Sequence, residues 1–289
     1  MFERIANSFA LARSSWHVLL HNKKLVALPI ISGIACLIVL ASFVTPMAIL
    51  YANGTIKVDD NNHPPLWTWA VVFAFYFCNY FVIVFCNAAL VSCALMRFNG
   101  QEPTLGDGFR AAGARLPQII AWALVSATVG LLLKVIENAH EKVGEIVSMV
   151  LGTAWSVITY FVVPVLVVEK VGPFSAIGRS VQILRKAWGE ALVGGFGLGL
   201  FKLLLVILGL LALVPGIVLL VLAAGAQPML IAGFVALGIG VLILLLMCAA
   251  GSALDTIFLA ALYQFAAFEK VPDGFSAESM RGAFQAKAA

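Results

Sequence analysis

Apolar residues in this chain come in long unbroken runs separated by short polar stretches. A bilayer-spanning helix needs about 20 mostly apolar residues. Six runs qualify: 25–51, 66–96, 119–136, 146–168, 191–224 and 229–268. The last two are too long for a simple perpendicular span. Pro215-Gly216 is a candidate kink or break in the fifth, and the end of the sixth is expected to leave the hydrocarbon for the interface. Leu25 opens the first run behind Lys23 and Lys24, too late and too long for a cleaved signal peptide. A lipoprotein reading of Cys36 fails too, because Gly33 stands where a large aliphatic residue is needed. The run is expected to be a retained transmembrane helix.

Charge is unevenly shared among the polar stretches. Arg4, Arg13, Lys23 and Lys24 precede the first span; Arg97, Arg110 and Arg115 follow the second; Lys170, Arg179, Arg185 and Lys186 follow the fourth; Lys270, Arg281 and Lys287 follow the sixth. The alternate loops, 52–65, 137–145 and 225–228, hold only Lys57 and Lys142. Basic residues close to span ends stay on the cytoplasmic side, so both termini are predicted to be cytoplasmic.

Three of the basic segments carry a second pattern. In 173–190, Phe174, Ile177, Val181, Leu184 and Trp188 recur at three- and four-residue steps, while Arg179, Gln182, Arg185 and Lys186 fall on other faces. That spacing predicts an amphipathic helix. Residues 2–22 repeat it with Phe2, Ile5, Phe9, Trp16 and Leu20, and 104–116 repeat it more briefly with Leu105, Phe109, Ala112 and Leu116. ALARS at 10–14 aligns with AIGRS at 176–180, and Pro103, Gly108 and Arg115 match Pro173, Gly178 and Arg185. The chain therefore reads as three copies of one unit. The expected fold is all-α integral membrane, a single membrane domain over 1–289. Its six transmembrane helices form three hairpins, each preceded by a cytoplasmic amphipathic interfacial helix (2–22, 104–116, 173–190), and 269–289 is a cytoplasmic tail.

Composition agrees. The chain is 62% hydrophobic and 11% charged with a mean hydropathy of +1.04, against about 45–50% and about 25% in soluble domains. A net charge of +4 is too modest for a nucleic-acid binder. The five cysteines (Cys36, Cys78, Cys86, Cys93, Cys248) lie in apolar runs with neither C-x-x-C nor His at metal spacing, and are read as small buried hydrophobes. His140-Glu141 has no second His four residues on, and the glycine-rich 194–199 stretch lacks a phosphate-loop Lys-Ser/Thr. No cofactor or metal is expected, and no catalytic residue emerges.

Two sets of residues are candidates for function. Amphipathic cationic helices lie in the headgroup plane, which makes Arg13, Arg110, Arg115, Arg179, Arg185 and Lys186 candidate contacts for anionic lipid headgroups. The plainer alternative is that these helices only hold the bundle in register. Inside the spans, Lys202 and Asp255 are formal charges far from run ends. Counted from the 225–228 turn, both reach the cytoplasmic boundary, where they are expected to pair. If the fifth span starts at Ala191, Lys202 instead sits near the midplane as a substrate or proton site. Asn79 and Asn87, with Cys86, Ser92 and Cys93, mark a polar strip on the second span. Ser126 and Thr128 on the third and Thr153, Ser156, Thr159 and Tyr160 on the fourth form others. Such strips are expected to pack helices or to line a polar route, and Gly195 and Gly199 give a further close-packing spacing.

YFVVPVLVVE at 160–169, with Gly172-Pro173, Arg179-Ser180 and Trp188-Gly189-Glu190, resembles the signature of an uncharacterised family of bacterial polytopic membrane proteins, a domain of unknown function. Residues 12–16 (ARSSW), 261–266 (ALYQFA) and Gly274-Phe275 extend the resemblance across the chain. More loosely, the layout is similar to membrane domains fused to glycerophosphodiester phosphodiesterases, without their catalytic domain. The resemblance implies a bacterial inner-membrane location and six helices, and transfers no active site. Within the motif, Pro164 is expected to loosen the fourth helix near its cytoplasmic end, and Glu169 to pair with Arg179 or another basic residue. The expected function is a non-enzymatic component that binds membrane lipids, anionic headgroups above all, or a protein partner, with no nucleic acid. The alternative is a small-molecule transporter or permease-like subunit.

Overall fold

A computed structural model describes residues 13–54, 65–139, 143–223 and 227–275. Residues 2–12 of the first expected interfacial helix, the loop residues Lys57 and Lys142, and tail residues 276–289 lie outside these, as do the surroundings of Trp188 and Gly195 within their helix. Among the described residues every regular element is a helix: α1 (13–21), α2 (Ala27–Ala52), α3 (Leu66–Phe98), α4 (Leu105–Gly113), α5 (Leu116–Ala139), α6 (Val143–Ile158), α7 (Val162–Glu169), α8 (Pro173–Leu211), α9 (Val214–Leu222) and α10 (Gln227–Phe268). A 3-10 turn, Lys23–Val26, joins α1 to α2. Six stretches are long and apolar enough to cross a membrane: Lys23–Ala52, Trp67–Phe98, Leu116–Asn138, Val143–Glu169, Leu198–Leu222 and Gln227–Phe268. The arrangement fits a polytopic membrane protein.

Two spans are interrupted, each just ahead of a proline. In the fourth, α6 stops at Ile158 and α7 begins at Val162. Pro164 has no amide to donate to the Tyr160 carbonyl, and its ring crowds that carbonyl, so the chain turns at 159–161. In the fifth, α8 stops at Leu211 and α9 restarts at Val214, with Pro215 in its first turn, where a missing amide costs nothing. The break therefore precedes Pro215-Gly216. Pro46, by contrast, sits inside an unbroken α2.

One expected boundary is absent. Residues 173–190 and the start of the fifth span are one continuous helix, α8, of 39 residues. No proline falls between Pro173 and Pro215, and the glycines at 194, 195, 197 and 199 weaken the helix without ending it. At 1.5 Å per residue α8 is about 58 Å long and α10 about 63 Å, against about 30 Å of hydrocarbon.

The chain divides into two compact units, residues 1–30, 93–103 and 187–289 in the first and 31–92 and 104–186 in the second. In the first unit, α8 and α9 lie antiparallel along α10. A Cβ on Gly209 would meet Leu244 at 2.7 Å, on Gly216 the Leu237 amide nitrogen at 2.5 Å, on Gly233 Leu220 at 2.7 Å, and on Gly240 the Ala212 carbonyl oxygen at 2.5 Å. These pairs keep one register through the break at 212–213, so glycines let two backbones touch where larger residues would hold them apart. Gly199, expected to pack closely, has open space around it.

Along α10 burial changes sharply. Residues such as Ile231, Phe234, Val235, Leu242 and Leu245 are more than half exposed, whereas Ala253, Leu254, Ile257, Phe258, Ala260, Ala261, Leu262 and Tyr263 are buried. Alternating small and large residues in the second half allow tight packing, while the Leu- and Val-rich first half offers its sides to a surrounding apolar phase. Val18, Leu19, Leu25 and Phe98 belong to the buried end of the unit, with Trp16 edge-on to Phe201 at 5.4 Å and Phe98 to Phe275 at 5.8 Å.

In the second unit α5 packs against α6, with the Trp122 and Trp155 rings stacked at 5.7 Å. A ladder of rings, Phe77, Phe81, Phe85 and Phe109, ties α3 to α4. The buried face of the early part of α8 is Ala176, Ser180, Ile183 and Leu184. Of the apolar stripe expected to enter lipid, Leu184 turns into the protein and Phe174 is 78% exposed.

Candidate functional site

Helix α7 is the best-defined polar locus, because an eight-residue helix between a break and a loop has orphan amides at one end and orphan carbonyls at the other. Neighbouring segments satisfy several. The Phe161 amide donates to Ser180 Oγ at 3.0 Å, and the same hydroxyl donates to the Ile158 carbonyl at 2.7 Å. Ser180 is fully buried, so one α8 side chain supplies the bonds that the interrupted fourth span lacks. At the other end, Arg115 Nε donates to the Val167 carbonyl at 3.0 Å and Arg115 Nη1 to the Ala114 carbonyl at 3.2 Å. A cation there also complements the negative end of the helix dipole. Arg179 Nε contacts both oxygens of Glu169, at 2.9 and 3.2 Å. Glu169 is followed by Lys170 in the left-handed conformation (φ 59°), and the chain folds back through Gly172-Pro173 into α8. The pairing of Glu169 with Arg179 matches expectation.

The six cations proposed for headgroups thus separate. Arg115 and Arg179 act as internal fasteners of α7. Arg110 is exposed and lies 3.4 Å from Asp107, the residue that closes the cap of α4. There Asp107 donates its amide to Thr104 Oγ1, while the Thr104 hydroxyl and amide donate to the Asp107 carboxylate at 2.7 and 3.0 Å. Those bonds, the hydroxyl's first, hold the Asp107 carboxyl below the usual aspartate range. Arg185 and Lys186 are exposed on α8, about six residues or 9 Å beyond Arg179. In the first unit Arg13, Lys23 and Lys24 are exposed.

Lys202 and Asp255 meet: Nζ donates to Oδ2 at 2.7 Å. The Lys202 stem runs over Gly251, 3.4 Å from where a Cβ would stand, and Asp255 lies one turn on. Lys202 is 21 residues from Ala223, about 30 Å along the helices, which is a full hydrocarbon thickness. The pairing expected of these two charges is present.

The polar strips bond largely within their own helices. Asn79 Nδ2 donates to the Phe75 carbonyl, Ser92 to Ala88, Thr128 to Leu124, Thr153 to Met149, Ser156 to Gly152 and Thr159 to Trp155. Asn87 is half-buried on α3, and Ser126 is buried on α5. Sequence reasoning gave Ser180 no role beyond its place in the motif and gave the glycines at the α8–α10 contact no packing role. The available signals were one of two hydroxyls, with Ser175, on a largely apolar and basic helix near a proline-broken span, and glycines at matching distances on either side of a short turn.

The model of a family of unknown function (DUF6159) matches residues 66–273, more than two thirds of the chain, and the chain belongs to that family. No curated protein and no solved structure matches it.

Proposed function

We propose that this member of a family of unknown function is a non-enzymatic, multi-pass component of the bacterial inner membrane that gathers anionic lipid headgroups, or a protein partner presenting the same chemistry, at a basic cytoplasmic surface. In this reading both termini are cytoplasmic, and the six spans form three hairpins, each introduced by an amphipathic segment at the headgroup level. The carrying observation is the sorting of cations. With Arg115 and Arg179 engaged on α7, Arg185 and Lys186 remain exposed on the helix that also presents Phe174 outward. An outward apolar side chain about 17 Å along the same helix from outward cations has the composition of a headgroup contact, and each cation near an anionic surface contributes about 1 kcal/mol. Arg13, Lys23, Lys24 and Arg110 extend the same chemistry.

A transporter is the alternative. The breaks at 159–161 and 212–213 favour it, since substrate sites are commonly built at interrupted helices. The first reading is preferred because Ser180 fills the first break and the Gly240 backbone closes on the second.

Native mass spectrometry of detergent-extracted protein decides between them, comparing wild type with Arg185→Gln/Lys186→Gln in which Arg179 is left intact. Retained anionic phospholipid lost in the variant supports the headgroup surface. A polar small molecule retained in both proteins overturns it in favour of transport.

A further inference from the structure

On the second unit, away from α7 and α8, α2 and α3 leave an open groove of about 550 Å³ between them. Leu40, Phe43, Val44, Met47, Ala48 and Tyr51 of α2 form one wall, and Val71, Val72 and Phe75 of α3 the other. Phe43 and Phe75 touch edge to face at 5.7 Å. Pro46 sits midway along the α2 wall and removes one of that helix's own hydrogen bonds, weakening its resistance to bending there.

We infer that this groove holds one acyl chain of a phospholipid from the leaflet that faces the loop between α2 and α3. Three observations select that occupant. Both walls belong to candidate membrane spans and are lined by apolar side chains, so what enters comes from hydrocarbon. From Leu40 to Tyr51 the wall is about 16 Å long, which is the depth of one leaflet, half of about 30 Å. Scaled from the apolar cavity of about 150 Å³ that holds benzene, the volume takes about twenty carbon atoms, which is one long chain and not a pair. Tyr51, more than half exposed at the end of α2, stands at the mouth, where an aromatic ring with a polar tip suits the headgroup level. The second chain of the same lipid remains in the bilayer.

The test uses the full-length protein in nanodiscs containing phosphatidylglycerol with a photoactivatable diazirine midway along one acyl chain. Irradiation and peptide mapping compare labelling of 40–51 and 71–75 with labelling of 231–245 on α10, an exposed apolar stretch of another span. The expected result is label concentrated on α2 and α3. In Ala48→Trp, which fills the groove, that label falls to the α10 level while the α10 label is unchanged. Val44→Phe narrows the same groove more gently and serves if Ala48→Trp does not fold. Equal labelling of both surfaces in wild type overturns the inference, as does label that survives filling. None of these outcomes depends on Arg185 or Lys186, so failure here is distinguishable from failure of the headgroup surface.

Discussion

Replacing Ser180 with Ala removes a single hydroxyl that bridges the interrupted fourth span. In the wild type it accepts from the Phe161 amide and donates to the Ile158 carbonyl, in a position without solvent access. The variant leaves one buried donor and one buried acceptor unpaired, and each orphan costs about 1–3 kcal/mol. Hydrogen bonds between membrane helices average only about 0.6 kcal/mol, because the alternative state finds new partners. That relief is restricted here: Pro164 stops the break from healing into continuous helix, since it cannot donate to Tyr160. A loss of about 2–4 kcal/mol is therefore expected, nearer the soluble-protein figure. Reversible unfolding in mixed micelles measures it, and amide exchange at 158–165 localises it. The double variant Pro164→Ala/Ser180→Ala should recover part of the loss by letting α6 and α7 join. A Ser180→Ala protein within about 0.5 kcal/mol of wild type, with unchanged exchange at Phe161, would refute the bridging role.

Three further perturbations have definite signs. Gly240→Ala places a methyl 2.5 Å from the Ala212 carbonyl oxygen and should cost about 1–3 kcal/mol as α8 and α10 separate; Gly199→Ala, with open space around it, should be neutral or slightly stabilising in the same unfolding assay. Lys202→Met should destabilise by about 1–2 kcal/mol, below the 3–5 of a fully buried pair because both side chains are more than a third exposed, and Lys202→Met/Asp255→Leu should restore most of it; a double variant worse than the single would show that the charges do not pair. The Asp107 carboxyl is held below the usual aspartate range, foremost by the Thr104 hydroxyl, so the α4 cap should persist through the ordinary aspartate range and be lost only as pH falls through the lowered value. Amide exchange at Asp107 against pH tests this, and Asp107→Asn should abolish the dependence.

The sorting of cations changes what a charge-neutralising experiment means. A variant that removed Arg179 with Arg185 and Lys186 would break the Glu169 contact as well as the outer surface, and lipid loss would then be ambiguous. Leaving Arg179 in place separates headgroup contact from the anchoring of α7.

Hydropathy alone determined the class of protein, the number of spans and their approximate limits, because the cost of placing polar groups in hydrocarbon is a local property of each run. Sequence also marked Pro164 and Pro215 as sites of weakness, and counting along the helices brought Lys202 level with Asp255, since rise per residue is nearly constant. What it could not decide was which face of a helix meets protein. In α8 the stripe from Phe174 to Leu184 looked lipid-directed; Phe174 does face outward, but Leu184 is buried along with Ala176, Ser180 and Ile183. Small residues gain contact by close approach to a particular backbone, and that backbone is set by the fold. The same reason explains the glycines: Gly199 and Gly240 are alike in sequence, but only Gly240 stands opposite a carbonyl. Arg115 and Arg185 likewise occupy matching places in the repeat, and tertiary structure alone brings Val167 within reach of one and leaves the other exposed.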